Sequence, residues 1–161
     1  MKPAPIYPNE DERLKIIKEM GILDTPPDPK FDALTKEAVT KLHVPIATVT
    51  IMDKNREWYK SCQGLPNREG PRETSFCGHA MYADQIFIVS DTLKNPDFSD
   101  NPMVINPPYI RFYAGMSLKD NNSGLPVGAF CVKDTKPRDF SMEETGIFID
   151  IATRAEKLLN E

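Results

Sequence analysis

At Pro45 the chain changes hydrophobic period, and that change restricts the folds open to it. Before it, Phe31, Leu34, Ala38 and Leu42 recur at the spacing of one helical face. After it, "IATVTIMD" (46–53) is rich in β-branched residues and alternates, setting Ala47, Val49 and Ile51 on one face. The helix is predicted to begin near Asp28-Pro29, because proline is tolerated in a first turn, and Pro45 stops it. Upstream, Asn9-Glu10-Asp11-Glu12 reads as a helix start with Asn9 as the cap. Leu14, Ile17 and Met20 share its face, and Gly21 can take the left-handed conformation that ends helices.

The strand period then dominates. Asp53 to Arg56 is polar turn material, and "EWYKSCQG" is the returning strand of a hairpin, with Cys62 on the face of Trp58 and Lys60. "IFIV" (86–89) is a short third strand, followed by "RFYAGMSL" (111–118), the turn "NNSG" and "PVGAFCVKD" (126–134). The connection "SDTLKNPDFSDNPMVINPPYI" is long for a compact domain, which marks it as functional or as a wrong assignment. The helical period returns at the end: Ser141-Met142-Glu143-Glu144 makes a capping box. Ile147, Ile151, Ala155 and Leu158 then form a stripe that Phe148 and Ala152 widen. Helices at both ends of a strand-rich middle describe an antiparallel α+β domain.

At 161 residues one domain is expected over 1–161, and its net charge of −4 offers no basic footprint for nucleic acid. No apolar run is long enough to cross a bilayer, and the start lacks a signal-peptide core. Three cysteines, at 62, 77 and 131, are an odd and widely spaced set, so no disulfide framework is expected and a reducing cytoplasm fits. The fifteen prolines cluster between aromatic and aliphatic residues, which reads as ordered loops.

"TSFCGHAM" (74–81) carries the densest chemistry. Thr74 or Ser75 can cap a short helix from Phe76 to about Tyr82. Residues two apart on a helix point about 200° apart, so Cys77 and His79 cannot grip one ion there, although an extended segment would align them. No metal site and no cofactor are predicted. The Cys77 thiol is either activated by a helix N-terminus or a small wedge packed against the sheet. His79 either reaches a ligand or ties the helix to the following loop. Trp58 either packs or closes a cleft. Arg111 either forks onto an anionic ligand or pairs with Asp91 or Asp100 to pin the long loop. Arg72 and Glu73 read as loop pins, and Asp134 as the cap of the turn at Thr135 to Pro137.

The order of elements, with "NEDERLKIIKEMGILDTPPDPKFDAL", "PIATVTIMDKNREWYKSCQGL", "RETSFCGHAM", "NPPYIRFYAGMSL" and "GAFCVKDTKPRDFSMEE", resembles the GAF domain family, in the version found alone or ahead of bacterial signalling modules. The likeness runs from about Asn9 to Leu159. It implies a central antiparallel β-sheet of five to six strands with the terminal helices on one face. A short helix and the long loop would roof a small-molecule pocket on the other. It also implies a sensory or regulatory role, an unknown small ligand, a homodimer through the terminal helices and a signalling partner protein reached in trans. The ligand-binding candidates are Trp58, Phe76, Cys77, His79, Arg111 and Tyr113. No catalysis is expected. GAF proteins that reduce free methionine sulfoxide keep a cysteine in the long connection, and this chain has none there. A thiol enzyme of that type, with a second thiol and a base beside Cys77, is the alternative. Tetrapyrrole-binding members place histidine directly after the attachment cysteine; here Gly78 intervenes.

Overall fold

The computed structural model describes residues 1–161. The chain runs α1 (Glu10–Met20), α2 (Pro29–Leu42), β1 (Ile46–Met52), β2 (Arg56–Gln63), β3 (Glu69–Pro71), α3 (Cys77–Ala80), β4 (Phe87–Val89), α4 (Pro102–Ile105), β5 (Phe112–Lys119), β6 (Pro126–Asp134) and α5 (Met142–Leu159). The strands form one antiparallel sheet in the order β3-β2-β1-β6-β5-β4, so the first and last long strands meet at its centre. Both are buried along their whole length, as strands covered on two faces must be.

One face carries α1, α2 and α5. Ile17, Phe31, Leu34, Ala38 and Leu42 meet Ala47, Val49 and Ile51 there, under Phe148, Ile151 and Ala155. Burying each of the larger side chains contributes about 1.5–3 kcal/mol. The other face is a smaller core in which Phe76, Met81, Phe98, Val104 and Ile110 close over Ile46, Tyr113, Ala129 and Cys131. The roof is built from α3, a 3-10 turn at Thr92–Lys94 and α4. These last two elements, and β3, did not stand out in the sequence. They break the long connection into capped turns: Asp91 accepts from Leu93 N, and Asn101 accepts from Met103 N.

Helix boundaries follow their capping chemistry, with one exception. Asp28 accepts from Lys30 N ahead of Pro29, Gly21 ends α1 at φ 63°, and Ser141 and Glu144 complete the reciprocal box of α5. Asn9 does not cap α1; its side-chain oxygen is buried without a partner. The α5 stripe is also turned slightly: Leu159 is buried, whereas Ile147 and Leu158 are half-buried on its flanks.

One register matters for the site. Val49 pairs with Ser61 and Thr50 with Tyr59, which leaves Lys60 as the extra residue of a bulge. Lys60 Nζ donates to Thr25 Oγ1 and Pro26 O, and Ser61 Oγ to Asp32, so both point to the helix side. Cys62, opposite Thr48, therefore lies on the roofed face and does not share a face with Trp58 and Lys60. A bulge adds one to the count, and strict alternation fails across it.

Candidate functional site

β1 alternates strictly, so the residues between Ala47, Val49 and Ile51 face the roof. Thr48 and Thr50 are both fully buried there, and their hydroxyls hydrogen-bond each other at 2.7 Å. Thr48 also reaches Cys131 Sγ at 3.0 Å, and the Cys77 thiol points at Thr50 Oγ1 at 3.7 Å. From the other side Tyr113 donates its hydroxyl to Cys77 Sγ at 3.1 Å. Gly115 makes this possible, since any Cβ there would lie 2.2 Å from the Tyr113 hydroxyl. The result is a ring of hydroxyls and thiols sealed beneath Phe76.

Its electrostatics are asymmetric. Burial pushes the Cys77 thiol well up, and neighbouring Cys131 adds to the shift. Burial also opposes ionisation of Cys131. There the neighbouring Cys77 sulfur, the Lys133 ammonium and the Thr48 hydroxyl outweigh it, and the thiol falls below its ordinary range. Lys133 is 1% exposed, lies 5.9 Å from the Phe76 ring centre and forms no ion pair or hydrogen bond with protein atoms. Burial disfavours its charge, but Cys131, Glu57 and Cys77 act together to raise its pKa. It is therefore an ammonium at neutral pH and no base.

Glu57 forms the second polar centre. It is 2% exposed and accepts from Tyr59 Oη at 2.6 Å and from Ser75 Oγ. Ser75 in turn accepts from Gly78 N at 3.0 Å, so this residue caps α3 while holding the carboxylate. Outside Glu57 the roofed face opens into a groove of about 360 Å³, floored by Glu57, Tyr59 and Gly70 and walled by Met103, Asn106 and Pro108. A wider and shallower depression of about 690 Å³ lies beyond the end of the sheet, at the 134–139 turn. Arg138 on its wall is already committed to Asp134 and Glu144.

The six candidates divide. Phe76, Cys77 and Tyr113 come together over the sheet, and all three are fully buried. Trp58 lies on the opposite face, packed with Ile51 in the helix-side core and under Arg68. His79 is half-buried at the outer side of α3; its Nε2 meets Lys2 O at 3.2 Å and its ring packs edge-on to Phe98. Burial lowers its pKa, so the neutral ring ties the helix to the N-terminal segment and not to the following loop. Arg111 pins the flap as the packing alternative had it, but through the carbonyls of Val104 and Ile110 and not through Asp91 or Asp100. Arg72 pairs with Glu10, and Asp134 caps its turn through Thr135 N.

Cys131, Lys133, Glu57, Thr48 and Thr50 were not among the candidates. The signal for Thr48, Thr50 and Lys133 was present: polar residues at alternate positions of strands whose other face is apolar. No such pattern says that Cys131 faces Cys77, because that depends on pairing between strands far apart in sequence.

The family model described as "GAF domain" matches residues 26–159. A cyclic di-GMP phosphodiesterase of Pseudomonas aeruginosa is 38% identical over 136 residues, which is 84% of this chain and 23% of that protein. The chain thus spans under a quarter of that relative's length. The blue-light-absorbing form of the Thermosynechococcus elongatus PixJ GAF domain superposes with TM-score 0.66 at 14% identity, covering 97% of this chain and 90% of that one. A type II free methionine-R-sulfoxide reductase from Thermoplasma acidophilum gives 0.63 at 16% identity, over 80% and 88%. The GAF domain of a Coxiella burnetii phosphoenolpyruvate-protein phosphotransferase gives 0.66 at 14%, over 90% of each. At such identities the structural likenesses speak for the fold, and the match across residues 26–159 assigns the chain to the GAF domain family.

Proposed function

We propose that this is a non-catalytic sensory or regulatory domain that takes a small molecule into the groove between β2–β3 and the flap. The observation that carries the reading is the groove itself. It has the volume of a small-ligand site, opens beside a buried carboxylate, and is bounded by the one long connection of the fold. Glu57 on its floor and Glu69 at its side favour a ligand that presents N–H or O–H donors or a positive charge. The state of the groove would pass through the sheet to α1 and α5. These helices are proposed to pair in a homodimer, where Met142 and Ile149 are exposed on α5, and to engage a signalling partner. The hydrolysis named for the Pseudomonas relative belongs to that protein, and regulation of such an attached or separate enzyme is the corresponding role here.

Two features speak against a thiol reductase. The flap from 90 to 111 contains no cysteine, and Cys77 and Cys131 lie under the roof with no opening to the groove floor. The test is native mass spectrometry of freshly purified protein beside Gly70→Trp. A Cβ at Gly70 meets the Tyr59 hydroxyl at 3.6 Å, ordinary contact, so the indole fills the groove without displacing the floor. A dimer carrying an extra small-molecule mass, absent from Gly70→Trp, is expected. Thioredoxin-coupled turnover of free methionine sulfoxide that is lost in Cys77→Ser would replace this reading with the enzymatic one.

A further inference from the structure

We infer that Cys77 and Cys131 are a thiol–disulfide couple, oxidised by a small peroxide, that joins the roof of the fold to its floor. The geometry fixes the two sulfurs from both sides. Cys131 has Thr48 and Gly115 as its cross-strand neighbours on β1 and β5. The Cys77 sulfur is held between the Tyr113 hydroxyl, which lies over Gly115, and Thr50, whose hydroxyl is bonded to Thr48. Both frames place it above Cys131, and α3 packs directly on β6 to bring it there. The third thiol, Cys62, turns instead to the Leu65 carbonyl at the end of β2.

The remaining feature is Lys133, two residues along β6 on the same face, a buried ammonium in direct contact with no carboxylate. A structural salt bridge would supply a carboxylate in contact; here Glu57 acts only at longer range, and the group beside the ammonium on its own strand face that can carry the opposite charge is the Cys131 thiolate. That assigns Cys131 as the nucleophile and Cys77 as the resolving thiol. The Cys131 thiolate attacks one oxygen of hydrogen peroxide. The O–O bond breaks, and the departing hydroxide takes a proton from solvent, leaving a sulfenic acid. The Cys77 sulfur then attacks the Cys131 sulfur; the S–O bond breaks, and the hydroxide leaves as water with the Cys77 proton. Two thiols are oxidised by two electrons and one peroxide gives two waters. A soluble dithiol returns the two electrons by exchange. Since neither sulfur is exposed, peroxide enters when the roof opens. The disulfide would then hold α3 down beside Glu57 and Tyr59, the floor of the groove. The couple needs no ligand in that groove, so its fate and that of the sensory reading are separable.

The experiment treats the full chain and Cys62→Ser with hydrogen peroxide, blocks free thiols with iodoacetamide after unfolding, and maps the peptides without reduction. In the full chain, free thiols are expected to fall from three to one. In both proteins a Cys77–Cys131 cross-linked peptide pair should appear, two hydrogens lighter than its parts, and dithiothreitol should restore the thiols. In Cys77→Ser, Cys131 is expected to accumulate as a dimedone-trapped sulfenic acid. Oxidation confined to Cys62, or a link that uses Cys62, overturns the inference. The result in the two proteins with an intact pair stands even if the core variant fails to fold.

Discussion

Glu10 is a carboxylate caught between two guanidinium groups, with Arg13 bound at 3.0 Å and Arg72 closing the other side. Arg13 is fully enclosed, and Arg72 is 3% exposed and also donates to the Asp53 carbonyl. Burial alone would raise the carboxyl; the hydrogen bonds from Arg72 and Arg13 outweigh it and lower the pKa to about 2. A carboxyl depressed in the folded state stabilises above its unfolded value near 4.5, and the contribution is lost as pH falls from there towards 2. Solvent screening at this partly open triad leaves about 1–2 kcal/mol of it. Wild type should therefore lose about 1 kcal/mol more stability than Glu10→Gln between pH 6 and pH 3, read from urea midpoints; equal losses would remove the triad from the acid response. None of this was legible in sequence. Arg72 read as a pin, but its partner lies 62 positions away and is fixed only by the fold. The same holds for Cys131. Phe76, Cys77 and Tyr113 could be named together because a family pattern grouped them, whereas the packing and cleft alternatives for Trp58 stayed open for want of a sheet face.

The elements were legible where local chemistry decides them. The period change at Pro45, the Asp28 and Ser141 caps and the left-handed Gly21 each act within a turn, and each helix forms where they set it. β3 and α4 were not, because Glu69–Pro71 and Pro102–Ile105 are too short to show a period, and β3 also lacks the apolar run that marked β4. Two glycines separate local from tertiary control. Gly146 lies inside α5, and a Cβ added there would have nothing within 4 Å, so Gly146→Ala removes only backbone freedom from the unfolded chain. A gain of about 0.5–1 kcal/mol, or roughly 1–4 °C in Tm, is expected by calorimetry. Gly128 pairs with Ile51 at the centre of the sheet, and a Cβ there would sit 1.8 Å from Thr50 O. That contact is backbone against backbone and cannot be relieved by a rotamer. Gly128→Ala is expected to cost about 3 kcal/mol, at the upper end for overpacking, in urea denaturation. A neutral result would mean that β1 and β6 can part there.

At the scale of the whole molecule, residues ahead of the matched family region complete both faces of the sheet. Ile17 of α1 enters the helix-side core, while residues 1–7 run across the roof. Lys2 N donates to Asp97 O, Ala4 N to Glu73 O, and Tyr7 packs edge-on to Tyr82 at 4.2 Å. The Ala4 methyl occupies the space of a Gly78 side chain, 2.6 Å from where that Cβ would be, so the segment and α3 are fitted to each other. His79 binds Lys2 O, which adds a second tie next to the thiols. A strap on the surface contributes little to the two buried cores, yet it opposes the one motion that exposes Cys77, the lifting of α3. Global and local stability should therefore respond differently to its removal. Deleting residues 1–7 is expected to leave the circular dichroism spectrum unchanged. It should raise the rate at which Cys77 reacts with a thiol reagent in the native state by roughly tenfold, equivalent to about 1.4 kcal/mol less protection against local opening. If the rate follows global unfolding instead, in the full chain and the shortened one alike, the roof does not open by itself, and peroxide would reach the couple only through the unfolded state.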